Sequence, residues 1–335
     1  MKILYAIQGT GNGHLSRSME IVPLLQQMAE VDVLVSGTQG DLELPFPVKY
    51  TFNGFGFIFG KSGGVDLWKS FYKSRFRNFL KEINKVPVEE YDLVINDFEP
   101  VSAWACYLKN KPCIGLSHQA AVLSEHSPKP EDSDMVGKLI LKNYAPVTVQ
   151  YGFHFDTFDD NTFTPVIRKQ VREQKIGFKG HYTVYLPAYD DKMLVHYLGQ
   201  VKNVQWQIFS KRHKEPYREG NIQIFPVNNE AFNQSMASCE GLLTGGGFEG
   251  PAEALYLKKK VMMIPMTGQY EQQCNALAAS KLGVPVVHAI DDNFAGHLNK
   301  WINDDQKVAV NFPDDTAKII DNMIKRHAKP GPILA

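Results

Sequence analysis

Leu242-Leu243-Thr244-Gly245-Gly246-Gly247-Phe248-Glu249-Gly250-Pro251-Ala252-Glu253-Ala254-Leu255 reads as the end of a buried strand, a glycine turn and the first turns of a helix. Three successive glycines leave a backbone that a phosphate can approach, and Pro251 suits the first helical turn. Glu253 sits in that turn, where a carboxylate suits the helix dipole and can accept hydrogen bonds from a ribose diol. Glu249, four residues earlier, is grouped with it as a donor-binding candidate. The plainer alternative is a sharp strand-to-helix turn whose two glutamates only stabilise the helix. The next loop argues against it: after the apolar run Val261–Ile264, the stretch Thr267-Gly268-Gln269-Tyr270-Glu271-Gln272-Gln273-Cys274-Asn275-Ala276 carries a polar cluster into another helix. Two successive polar loops at one sheet edge mark the place where open α/β proteins hold ligands.

The same rhythm opens the chain. Ile3–Ile7 reads as a strand running into Gly9-Thr10-Gly11-Asn12-Gly13-His14, after which Leu15, Met19, Ile21, Val22, Leu24 and Leu25 supply the apolar positions of a helix. Only Lys2 stands ahead of the apolar run, which meets a polar loop instead of a cleavage pattern, so it is expected to be a strand and not a signal peptide. The third glycine comes one position early for the dinucleotide fingerprint, and His14 takes the place of the last one, which argues against a dehydrogenase. An imidazole at the mouth of such a loop suits a base on an acceptor hydroxyl, and equally a group that fixes the loop. Asp97, in Asn96-Asp97-Phe98-Glu99 at a strand end, is a candidate partner for His14, or a cap for the helix beginning at Pro100. His118 ends the next strand in a similar way. Arg17 is read as meeting a phosphate or solvent.

Strand-length apolar runs alternate with helix-length segments almost throughout, the signature of parallel sheets covered by helices. One series comprises strands at Ile3–Ile7, Val31–Val35, Leu93–Asn96, Cys113–Leu116 and Val147–Val149, with helices at Leu15–Ala29, Asp66–Lys85 and Pro100–Lys109. A second begins at Tyr182–Leu186 and continues through Trp206–Phe209, Ile222–Phe225, Gly241–Leu243, Val261–Ile264 and Val284–Val287. Between them Phe155–Gly180 is punctuated by Asp, Asn, Thr, Pro and Gly. The expected class is α/β with two Rossmann-like domains, 1–164 and 165–335, facing across a cleft.

With 335 residues, two domains are the natural prior. Thirty-six basic residues balance thirty-six acidic ones, so the overall charge gives no reason to expect nucleic acid as a partner. Cys106, Cys113, Cys239 and Cys274 lack close metal spacing, as expected of reduced thiols in a cytoplasmic protein, and no metal is expected.

Taken together, the G-T-G-N-G-H loop, the T-G-G-G-F-E-G-P-A-E-A-L segment and the later E-Q-Q-C-N-A segment, in this order and separation, resemble the GT-B glycosyltransferases. The resemblance is to the branch containing the bacterial enzyme that adds N-acetylglucosamine to the lipid-linked peptidoglycan precursor. It implies metal-independent transfer of a sugar from a nucleoside-diphosphate donor, UDP-linked, with inversion and without a cofactor. Glu253 then matches the carboxylate that holds the ribose hydroxyls, and Gly245, Gly246 and Gly247 the turn beside the donor phosphates. Gln272, with Glu271, matches the position that contacts the transferred sugar, and His14, with Gly11 and Gly13, the loop facing donor phosphate or acceptor. Thr316–His327 matches a last helix that crosses back to the first domain. Gln269 and Tyr270 stand where many relatives carry a histidine.

The acceptor is left open between a lipid-linked and a small hydroxyl compound. From Phe52 to Leu80, Phe55, Phe57, Phe59, Trp68, Phe71, Tyr72, Phe76 and Phe79 are interleaved with Lys61, Lys69, Lys73, Arg75 and Arg77. Core packing of the aromatics and a solvated basic face is the favoured reading; an acceptor groove or peripheral contact with the inner face of an anionic membrane is the other. A nucleotide-sugar 2-epimerase and a non-catalytic nucleotide-sugar-binding protein are rivals on the same scaffold.

Overall fold

The computed structural model describes residues 1–37, 42–54, 73–131 and 135–328. It contains two sheets. The first is all parallel, in the order β3-β2-β1-β4-β5-β6-β7, from β1 (Lys2–Gln8), β2 (Glu30–Ser36), β3 (Tyr50–Phe52), β4 (Leu93–Asp97), β5 (Ile114–Ser117), β6 (Val149–Phe153) and β7 (Thr162–Phe163). The second has the order β10-β11-β9-β8-β12-β13, from β8 (His181–Tyr185), β9 (Gln205–Ser210), β10 (Tyr217–Glu219), β11 (Ile222–Pro226), β12 (Gly241–Gly245) and β13 (Lys260–Ile264). Among the described residues only the β10–β11 pair is antiparallel. In both sheets the order reverses beside the first strand of the half, between β1 and β4 and between β8 and β12. Those reversals open crevices at the strands' carboxyl ends.

The parallel strands are buried on both faces, which explains their uninterrupted Ile, Leu and Val content. Ile3 to Ile7 are all fully buried. One apolar cluster runs through both halves, from Ile7 and Leu15 to Phe248, Leu255 and Ile320. The helix Thr316–His327 packs against the helix Asn12–Gln26, and the Tyr151 hydroxyl of β6 lies 2.8 Å from His327 Nε2.

The structure corrects some boundaries. Val284–Val287 is not a strand: Val286 makes an isolated bridge with Met263. The strand expected at Val147–Val149 begins at Val149, after Thr148 has bonded the Cys113 carbonyl. In the aromatic stretch, Phe79 packs under the first sheet while Phe76 is 51% exposed. Phe55, Phe57, Phe59, Lys61, Trp68, Lys69, Phe71 and Tyr72 lie outside the described residues, as do the side chains of Lys73 and Arg75.

Candidate functional site

The first glycine loop follows β1 directly. The helix Asn12–Gln26 starts after extended Gly11 without a capping side chain and without an acidic residue in its first turn. His14 and Arg17, three apart, share a face of this helix. Asp97 ends β4, the neighbouring strand. The helix Pro100–Leu108 is capped by Glu99, whose carboxylate accepts from the N–H groups of Val101 and Ser102 at 2.6 and 2.7 Å. Asp97 is thereby released from the capping role that the sequence left open. Phe98 between them adopts a positive φ of 57°, a conformation uncommon for a bulky residue, and this turn aims Asp97 and Glu99 in different directions.

Asp97 gathers the polar groups of the first half. His14 Nδ1 lies 2.8 Å from its Oδ1, while Arg17 donates Nε to Oδ2 at 3.1 Å and a terminal N–H to Oδ1 at 2.5 Å. Burial would push the Asp97 carboxyl up, but the charges of Arg17 and His14 hold it below the usual carboxylate range. On the other side of the imidazole, Gln119 places its Nε2 3.3 Å from His14 Nε2 and donates to Glu271 Oε2 at 3.1 Å. Nδ1 has the Asp97 acceptor at 2.8 Å and an Arg17 donor at 3.0 Å beside it, while Nε2 faces a donor alone; a proton on Nδ1 shared with Asp97 leaves a free pair on Nε2.

The second loop follows β12. Glu253 is buried and clasped by Arg168, whose Nε and terminal nitrogen donate to the two carboxylate oxygens at 2.6 and 2.7 Å. Asn229 and Asn233 accept from the same guanidinium at 2.9 and 3.1 Å. Two N–H bonds leave the carboxylate with further acceptor positions. The three glycines differ. A Cβ on Gly246 would lie 2.6 Å from Gln272 Cβ and 2.8 Å from its backbone oxygen, whereas Gly247 faces open space and Gly245 has only ordinary contacts. Gln272 is the clamp: its Oε1 accepts from the N–H groups of Gly246 and Met266 at 3.1 and 2.9 Å.

The loops meet across the cleft. Arg17 pairs with Glu249, and a Cβ on Gly13 would lie 2.5 Å from Glu249 Oε2. His118 stacks on Phe248 at 3.9 Å, with Nδ1 2.8 Å from the Phe153 carbonyl and Nε2 2.7 Å from Asn275 Oδ1; Asn275 in turn donates to the Gly246 carbonyl at 3.0 Å. Burial holds His118 below the ordinary histidine range, against the pull of Glu271 and Glu249.

A cavity of about 290 Å³ lies where these pieces converge, lined by Asn12, Gly13 and Ser16 of the first half and by Gly245, Gly247, Glu249, Glu253 and Gln272 of the second. Arg168 and Leu186–Tyr189 complete its wall. A larger crevice of about 540 Å³, between Tyr151 and the last helix, contains no residue of either glycine loop, so the smaller cavity is the candidate site. Sequence reasoning missed Arg168 and Gln119. Arg168 carried a signal, a lone arginine after the apolar pair Val166-Ile167; Gln119 carried none.

Two Rossmann-like halves with facing glycine loops make the GT-B architecture. Residues 1–303 match the family described as glycosyl transferase family 1, and the chain belongs to that family. Similar solved structures include Acinetobacter baumannii MurG, 14% identical over 98% of this chain and 95% of that one, with a TM-score of 0.54. They also include Arabidopsis thaliana UGT89C1 complexed with UDP-L-rhamnose, 12% identical over 97% and 94% of the two chains, TM-score 0.58. A third is the Streptomyces sp. SF2575 glycosyltransferase SsfS6 complexed with thymidine diphosphate, 13% identical over 96% and 99%, TM-score 0.56. No curated protein sequence matches the chain. Among the described residues, no helix is long and apolar enough to cross a membrane.

Proposed function

We propose that the protein transfers a sugar from a pyrimidine nucleoside-diphosphate donor, UDP-linked, to a hydroxyl acceptor, in a single displacement with inversion and without a metal. The observation that carries this reading is the cavity in which the glycine loops of both halves face one another, walled by the buried arginine–glutamate pair, with the histidine–aspartate pair outside its lining and joined to it through Arg17 and Glu249. UDP-L-rhamnose and thymidine diphosphate in two similar structures support a pyrimidine donor.

Glu253 keeps acceptor positions for the ribose diol, while the open backbone at Gly247 lets the diphosphate approach the start of the helix that follows it. The acceptor hydroxyl replaces Gln119 at His14 Nε2 and gives its proton to that nitrogen. Its oxygen bonds to the anomeric carbon as the bond to the diphosphate oxygen breaks, and the nucleoside diphosphate leaves with the electron pair. Asp97 holds the resulting imidazolium.

A thermal-shift and calorimetric screen of nucleoside diphosphates against the native protein and Glu253→Gln tests the donor site. Selective stabilisation by UDP that weakens at least tenfold in the variant is expected. No stabilisation by any nucleotide would sink the assignment and leave the fold alone.

A further inference from the structure

Arg17 joins a carboxylate of each half. Its guanidinium is 2% exposed, holds both oxygens of Asp97, and gives its remaining terminal nitrogen to Glu249 from the second loop. His14 Nδ1 shares with Arg17 the same Asp97 oxygen, and Arg17's terminal nitrogen lies 3.0 Å from that ring nitrogen. Within the first half alone, the charges of Asp97 and Arg17 cancel around the imidazole. The other groups facing it from this half are neutral: Tyr5 behind Asp97, the Phe98 ring and Gln119. The net negative charge that favours a protonated ring therefore comes from the second half, from Glu249 on Arg17 and from Glu271 behind Gln119. Glu249 is seated closely, because its carboxylate occupies the space a side chain at Gly13 would need.

We propose that Arg17 is a positioning residue that makes His14's strength as a base depend on the meeting of the two halves: Glu249 balances the Arg17 charge, so that the Asp97 carboxylate is no longer offset beside the imidazole. The inference rests on His14 acting as the base. It assigns Glu249 a role distinct from holding the donor: a link between the loop that binds and the loop that removes a proton. When the halves part, Glu249 leaves Arg17, the Arg17–Asp97 pair is neutral by itself and the ring loses its negative surroundings, so proton removal is favoured with the halves closed.

The test follows the ring signal of His14 against pH by NMR in histidine-labelled protein without ligand, the signal being assigned by its loss in His14→Asn. In Glu249→Gln the titration midpoint is expected to move to lower pH by about half a unit or more, about a threefold loss of proton affinity. Gly13→Ala, whose methyl displaces the carboxylate, moves it the same way, and Glu249→Asp restores part of the shift. An unmoved midpoint in folded Glu249→Gln and Gly13→Ala protein overturns the proposal. Undiminished sugar transfer by His14→Ala would instead overturn the base assignment, leaving the titration result standing.

Discussion

After β1 the chain turns into a helix that carries His14 and Arg17; after β12 it turns into one that carries Glu249 and Glu253. Both turns lie where the strand order of a parallel sheet reverses, and both offer glycine backbone to one cavity. Their contents diverge. The first surrounds an imidazole that is 13% exposed with Asp97, Arg17 and Gln119, which on the proposed reading moves a proton. The second buries its acid against Arg168 and leaves Gly247 open, which on the same reading holds an anion and a diol. A strand-order reversal supplies a cradle, and the side chains around it decide whether the cradle binds or reacts.

The difference breaks most visibly at His14. Replacing it with alanine is expected to lower sugar transfer by about 10²- to 10⁴-fold, or about 3–5 kcal/mol in the barrier, while leaving nucleotide affinity within a factor of a few. Steady-state rates and calorimetric UDP binding on the same preparation check this. Equal losses of binding and rate would mean that the first loop holds the donor as well.

The second loop is sharpened by comparing its own glycines. Gly246→Ala drives a methyl into the backbone of Gln272 and to within 3.0 Å of Pro265 Cα, contacts that no rotamer change relieves. We expect a loss of about 1–3 kcal/mol in stability by denaturant unfolding, together with weaker nucleotide binding. Gly247→Ala meets open space, and its stability is expected to stay within about 0.5 kcal/mol of native. The reverse order would show that the clamp by Gln272 does not define the loop.

Much of this contrast was legible in the sequence, because strand, glycine turn and helix are local patterns. The apolar run before each loop fixes a buried strand, and the glycines and Pro251 fix where the chain turns. What was not legible is which charges meet. Arg168 reaches Glu253 across 85 residues and Arg17 reaches Glu249 across 232, distances over which no periodicity carries information. Local competition misled as well: Asp97 and Glu99 both precede Pro100, and only the positive φ at Phe98 decides that Glu99 takes the cap and Asp97 turns to His14. Val284–Val287 has the composition of a strand but reaches the sheet through a single bridge at Val286, because β-propensity reports fit to a pleated surface and not the length of pairing.

The smallest expected effect lies where the loops touch. His154 neighbours His118 at 4.9 Å and packs edge-on to Phe155, Phe158 and Phe248; its Nδ1 accepts from the Phe155 N–H, and burial and the His118 charge hold it well below the ordinary histidine range. In the unfolded chain both rings titrate near pH 6.5. Below that value the unfolded state takes up protons that the folded state refuses, so stability falls as the pH drops and is fully present above about 6.5. Each such group contributes a slope of at most about 1.4 kcal/mol per pH unit, which for a chain of this size is a few degrees in Tm. His154→Phe removes one titrating group from an aromatic cluster that can accommodate a ring, at the cost of the acceptor for the Phe155 N–H. Its Tm is expected to fall less between pH 7 and 5.5 than that of the native protein, whatever its value at pH 7. Parallel Tm curves for the two proteins would place the acid sensitivity of this range elsewhere, first at His118, which burial also holds below the ordinary histidine range; Asp97 contributes to it only as the pH falls below about 4.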